Sequence, residues 1–314
     1  MKPAPTRFLL AALAILAASP AAAQLRAFTL TSDNDSYDFW IPFATRPDQE
    51  YTNGLELRAE LGGAPLWGRL LGASADSATL STELRVGQKI FTPRLDSPVL
   101  GPGERPYAGW LYLSAAGSAE EPRVRRTAGI ELGVTGPPSQ GEWVQTTFHK
   151  LAGFRDPVGW SGQLRTEPGV VLRYGEEYVA AELSPAGIRV AELMPYWGAA
   201  AGNVRTGAHA GVRLRAGYAV PRPWGRAAHG VSVYASAGAR VEFVLRDLFL
   251  DGNTFRDGPR VDRIPDQGEL EGAVGVRLGA FGLEYRAISR TRSYETEPKG
   301  HQYGSFQVTL RTNR

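Results

Sequence analysis

Residues 51–61 read YTNGLELRAEL, and in this stretch Leu55, Leu57, Ala59 and Leu61 alternate with Glu56, Arg58 and Glu60. Alternate side chains of a strand point to opposite faces, so this is a strand with one apolar and one charged face. LSTELRVGQKI sets Leu80, Leu84, Val86 and Ile90 against Glu83, Arg85 and Lys89. FGLEYRAISR and SFQVTLRT repeat the pattern near the end of the chain. Two architectures accept such strands. In a soluble sandwich the apolar face is the core, whereas in an outer-membrane barrel it meets lipid and the charged face lines the lumen.

Length favours the barrel, because the runs reach the ~9–11 residues that a tilted strand needs to cross a bilayer. Tyr51, Trp110, Tyr112, Tyr196, Trp197 and Tyr285 lie near strand ends, where a membrane girdle would place them. Short turns such as LSPAGI and LGAFGL also alternate with long loops. The expected fold is all-β, a transmembrane antiparallel β-barrel of about twelve strands. The strands fall at residues 24–32, 51–61, 79–91, 108–117, 122–134, 167–183, 187–200, 205–218, 229–246, 267–278, 280–291 and 302–312. A soluble sandwich is the alternative.

The first 23 residues have the layout of a secretory signal peptide: Lys2 and Arg7, then FLLAALAILAA, then Ala21-Ala22-Ala23. Removing them lowers the formal charge from +3 to +1, which gives no reason to expect nucleic acid as a partner. Cysteine is absent, so no disulfide framework supports this exported chain. No linker or repeat divides residues 24–314, which are read as one barrel domain, expected to be a monomer in the bacterial outer membrane.

An even strand number puts both chain ends on the periplasmic side. The connections 33–50, 92–107, 135–166, 201–204, 247–266 and 292–301 then open together at the outer end. The longest contains SQGEWVQTTFHKLAG, a short extracellular helix with capping-box spacing between Ser139 and Glu142 and a stop at Gly153. Its apolar face is Trp143, Val144, Thr147, Phe148 and Leu151, with His149 off that face beside Gln145. Asn34 and Asp35 end the first strand and Thr52 begins the second, with its hydroxyl expected in the lumen by parity with Glu56 and Arg58. A histidine, a carboxylate, an amide and a hydroxyl at one rim could form a hydrolytic site. Imidazole takes a proton from water near neutral pH, and hard oxygen ligands suit calcium. A rim of polar residues merely meeting water is the competing reading.

SDNDS, YTNGLEL, FTP with ERPYAGWLY, FHKLAGF with GWSGQL, AAAGNVRTGA and FLDGNTF occur in that order from about residue 27 to the C-terminus. This ordered set resembles the outer-membrane lipid A 3'-O-deacylases. The resemblance implies a twelve-stranded, calcium-dependent barrel enzyme that hydrolyses the ester holding the 3' acyloxyacyl group of lipid A in lipopolysaccharide. Carried over, the catalytic residues are Asn34, Asp35, Thr52 and the base His149, with Asp35 and Asn34 near the metal. The family places a glutamate where this chain has Arg155, so Asp156 is the candidate replacement. Arg94 and Arg105, in the second outer loop, are candidates for gripping lipid A phosphate. The chain also ends RTNR rather than on an aromatic residue.

Neither G-x-S-x-G nor H-E-x-x-H occurs. A non-catalytic barrel, whether narrow channel, structural protein or lipid binder, is the second functional reading. The lumen charges would then pair into a plug or line a pore.

Overall fold

The computed structural model describes residues 24–37, 49–63, 65–73, 78–94, 96–224 and 230–312. The expected signal peptide and His229 lie outside the described residues. Twelve long antiparallel strands follow: β1 (Leu25–Asn34), β2 (Glu50–Gly62), β3 (Thr79–Thr92), β4 (Ala108–Glu120), β5 (Val124–Thr135) and β6 (Glu167–Tyr178). They continue as β7 (Ala191–Gly202), β8 (Arg205–Tyr218), β9 (Val231–Asp247), β10 (Asp266–Leu278), β11 (Phe281–Arg290) and β12 (Gln302–Arg311). Each pairs with its sequence neighbour, and β1 also pairs with β12, with Phe28 opposite Leu310. The expected strand 167–183 is interrupted after Tyr178, and its remainder, Ala181–Leu183, pairs with β7 as β6 does. The sheet is therefore a closed barrel in which each of the twelve long strands is paired on both sides, leaving none of them a free edge to template aggregation.

The faces sort as a membrane requires. Phe28, Leu30, Leu55, Leu57, Leu172, Leu214, Val233, Val241, Leu270, Val274 and Leu283 are exposed on the outside. A sandwich would have buried that face. Inside, charges pair: Arg58 and Arg85 with Glu83, Arg173 with Glu131, Arg213 with Glu177 and Glu271, and Arg286 with Glu284. Tyr112 and Tyr234 donate to Glu56 and Glu284 at 2.7 Å. The lumen charges thus form a network that crosses between strands around cavities of about 630 and 320 Å³.

The aromatic girdle needs correction. Tyr51, Trp110, Tyr112 and Tyr196 point inward. Tyr51 donates to Asp33 Oδ2 at 2.7 Å, Trp110 Nε1 to Glu131 at 2.9 Å, and Arg213 lies over the Tyr196 ring. A polar network inside the barrel gives a phenol or indole N–H the partner that hydrocarbon cannot.

The outer loops fold into the barrel mouth. The described residues form three α-helices, α1 (Pro65–Leu70), α2 (Gly141–Ala152) and α3 (Leu248–Asp251); α3 turns inward, and Phe249 stacks on Phe91 with ring centroids 4.4 Å apart, beside Trp110. Glu50, buried at the start of β2, accepts from Tyr294 at 2.7 Å and from Arg105 at 3.2 Å. Asn253 clasps Arg165 through its backbone N–H and carbonyl and donates to Glu167, so FLDGNTF fastens one outer loop to another. His301, buried in the last outer loop, donates from Nε2 to the carbonyl of Tyr51 at 3.1 Å, and burial pushes its pKa down to about 3. It is a neutral structural imidazole. At the opposite end, Trp224 Nε1 donates to Glu121 O at 2.8 Å.

Candidate active site on the outer wall

Strand β1 runs two residues further than expected and ends at Asn34, which lies opposite Asn53 on β2 and Gly304 on β12. Asp33 faces the lumen and is held by Tyr51, so its neighbour Asn34 falls on the outward face with Phe28 and Leu30. Asn34 Oδ1 accepts from Ser36 N at 2.8 Å and from the Ser36 hydroxyl, an Asx-type turn that reverses the chain. Asp35 opens a 3₁₀ turn, Asp35–Tyr37, and its buried carboxylate accepts from Gln49 N at 3.1 Å.

Thr52 does not face the lumen. The β2–β3 register slips between Tyr51 and Asn53, with Tyr51 opposite Phe91 and Asn53 opposite Ile90. The extra residue of this bulge is Thr52. A bulge re-aims the side chains beyond it, so Tyr51 takes the inward place and alternation counted from Glu56 fails at this point. The Thr52 hydroxyl meets that of Thr92 at 2.7 Å, both side chains buried on the outward face.

Helix α2 (Gly141–Ala152) lies against the same outer wall, over β3 and β4. The outward-facing Gln88 donates to Ser139 O at 2.6 Å, and Ile90 packs with Tyr107, Trp160 and Val144. Gly109 permits the close approach. A Cβ there would stand 2.1 Å from Ser139 Oγ and 3.3 Å from Gly141 Cα. The expected capping box does not form. Gln140, in the left-handed region at φ 61°, is the N-cap, and Ser139 Oγ donates instead to Gly136 O at 2.6 Å. Gly153 ends the helix as expected, at φ 75°.

The helix is inverted relative to a helix on a soluble core. Its buried residues are Gly141, Gln145 and His149, spaced four apart, whereas Trp143 is 64 % and Leu151 84 % exposed. Outside a membrane barrel, the apolar face belongs on the lipid side and the polar face on the wall. Gln145, noted in the sequence only as a neighbour of His149, accepts from Trp160 Nε1 at 2.8 Å on the buried face. Spacing of four from a candidate base was the signal that pointed to it.

His149 is 8 % exposed, with the Phe154 ring 5.7 Å away edge-on. Its Nδ1 lies 2.5 Å from the carbonyl of Arg155. A carbonyl only accepts, so Nδ1 carries the proton and Nε2 keeps its lone pair in the neutral ring. Asp156, the expected carboxylate substitute, is exposed and lies 3.9 Å from Lys150 Nζ. The backbone at Arg155, rather than the side chain of Asp156, holds the ring.

The two arginines expected to grip phosphate are engaged by carboxylates. Arg94 pairs with Glu104 at 2.6 Å, and Arg105 is buried between Glu50 and the Phe91 ring inside the mouth. Both brace the loop cap.

Asn34, Thr52 and the His149 helix therefore share the outward side of the β1–β4 rim, with Asp35 next along the chain at the tip of β1. Neighbouring strands are about 4.8 Å apart, so the β1 tip and the β3 rim are separated by roughly 10 Å along the wall. For a hard cation, Asp35 supplies the charged oxygen ligand of the right type. Asn34 Oδ1 is committed to Ser36, and no group of three or more His, Cys, Asp or Glu side chains among the described residues could hold a metal ion.

No curated protein matches the chain by sequence. Among solved structures, it resembles LpxR from Salmonella typhimurium with a TM-score of 0.75 at 17 % identity, covering 91 % of this chain and 100 % of that one. The beta domain of the Bordetella autotransporter BrkA matches with a TM-score of 0.46 at 13 % identity, covering 92 % of this chain and 99 % of that chain. The family described as outer membrane protein LpxR matches residues 8–312. With a closed barrel, an apolar outer belt and a match over nearly its whole length, the chain belongs to the LpxR family of outer-membrane proteins.

Proposed function

We propose that this protein is an esterase that removes the 3'-linked acyloxyacyl group from lipid A in the outer leaflet. The observation that carries the reading is a buried imidazole, clamped through Nδ1 by a backbone carbonyl, on the membrane-facing side of the wall. A base serving a soluble substrate would have no reason to sit beneath a helix whose exposed face is Trp143, Phe148 and Leu151. An amphiphile already in the leaflet reaches this site sideways, with its acyl chains against that apolar face.

In this reading His149 Nε2 takes a proton from a water as its oxygen attacks the ester carbonyl carbon. The bond from that carbon to the sugar oxygen then breaks. The protonated imidazole returns the proton to the departing sugar oxygen, leaving a carboxylic acid and a sugar hydroxyl. Asp35 would hold a calcium ion, which when bound supplies positive charge beside the oxyanion. Thr52, tethered by Thr92, orients the water or the ester. The role expected of Asp156 passes to the Arg155 carbonyl, which fixes the imidazole tautomer. The lumen network and the apolar mouth plug speak against the channel reading.

Mass spectrometry of lipid A from cells producing the full chain tests the reaction. The expected spectrum has lost the mass of the 3' acyloxyacyl group. Lipid A of unchanged mass, with the barrel folded in the outer membrane, would overturn the proposal.

A further inference from the structure

The residue whose carbonyl holds the base carries a side chain that the proposed chemistry leaves unused. The Arg155 guanidinium is exposed and has no ion pair or hydrogen bond among the described residues. Its carbonyl is tied to His149 Nδ1 at 2.5 Å, so the side chain is anchored beside the proposed base. Lys150, next to His149 in the sequence, is also exposed, and its ion pair among the described residues is with Asp156, at 3.9 Å. Exposed pairs of that kind contribute little, so exchanging Asp156 for another anion costs little.

The surroundings fix the chemistry of that anion. Phe148, Leu151 and Phe154 are exposed in the same stretch, interleaved with Lys150 and Arg155. Apolar rings in hydrocarbon with cations at the polar boundary are the pattern of a segment lying in the interface of a bilayer. The anions at that depth are phosphates. A guanidinium presents paired donors that match two phosphate oxygens, whereas an ammonium acts as a point charge.

We infer that Arg155, assisted by Lys150, binds a phosphate monoester on the sugar whose ester is cleaved, making that phosphate a determinant of which lipid is processed. The sugar lipid itself rests on the proposed function. The phosphate preference does not depend on turnover.

The test measures binding of the full chain in detergent, in an Asp35→Ala background, which stops the proposed turnover and leaves the contact between His149 and Arg155 in place. The probes are phosphorylated lipid A, the same lipid A after phosphatase treatment, and phosphatidylglycerol vesicles. Hydrogen bonds to a charged group are stronger than neutral ones, so the phosphorylated form should bind roughly tenfold or more tightly than the stripped form. Arg155→Ala should remove most of that ratio, and Arg155→Lys should keep part of it. An unchanged ratio in Arg155→Ala overturns the inference, as does an equal loss of affinity for both lipid A forms. Weakened binding to phosphatidylglycerol by the same factor would make Arg155 a general anionic-lipid contact and overturn it too. A chain that prefers the phosphorylated lipid while wild type hydrolyses nothing would refute the esterase reading alone.

Discussion

His149→Ala is expected to lower the rate of 3' acyl release by about 10²–10⁴-fold, the range that a positioned general base contributes. The barrel should be unaffected, because His149 lies on the helix outside the wall, where its ring meets the Arg155 carbonyl and the Phe154 ring, and the twelve-strand closure runs elsewhere. Fatty acid released from purified lipid A gives the rate. Heat-modifiable migration on a gel reports whether the barrel is intact. A folded variant that releases acyl chains at the wild-type rate would remove His149 from the chemistry.

Chelation should have an effect of similar size, and Asp35→Ala should reproduce it irreversibly. The Asp35 carboxylate is buried at the tip of β1 and is the charged oxygen ligand proposed for the ion. Losing the charge that stabilises an oxyanion costs about 10²–10³ in rate. Added calcium should restore the chelated wild-type protein but not Asp35→Ala. Binding should also raise the wild-type unfolding temperature with calcium concentration, as any ligand of the native state does, and leave that of Asp35→Ala unchanged. Full activity in the presence of a strong chelator would show that the ion plays no part.

Much of this architecture was legible in the alternation of the strands. Glu56, Arg58, Glu83 and Arg85 point inward as period two requires, and the interior network explains why a chain without cysteine carries so many charges there. The loop parity was also readable, because antiparallel neighbours leave no choice about which end a connection occupies. What period two could not supply was the bulge at Thr52, since one added residue reverses every side chain before it. That error matters, because it would have placed the hydroxyl inside the barrel and away from the helix. The α2 orientation was hidden for a different reason. Trp143, Phe148 and Leu151 look like a face made for burial in protein, and only the outward position of Gln88 and Ile90 beneath the helix shows that lipid takes that role. Arg94 and Arg105 were misleading because a sequence does not reveal that Glu104 and Glu50 lie within reach.

The proposed chemistry requires the β1 tip and the α2 helix to share one side of the wall. The natural chain has no cysteine, so Asp35→Cys combined with His149→Cys introduces the only two thiols. Each is first shown to react with a small methylating reagent in the folded barrel, and the pair is then treated with bis-maleimides of graded length. The expected result is an intramolecular cross-link, read by mass spectrometry, with reagents spanning about 10 Å, two strand spacings. Reactive thiols joined only by reagents long enough to reach across the barrel, or by none, would contradict a shared site.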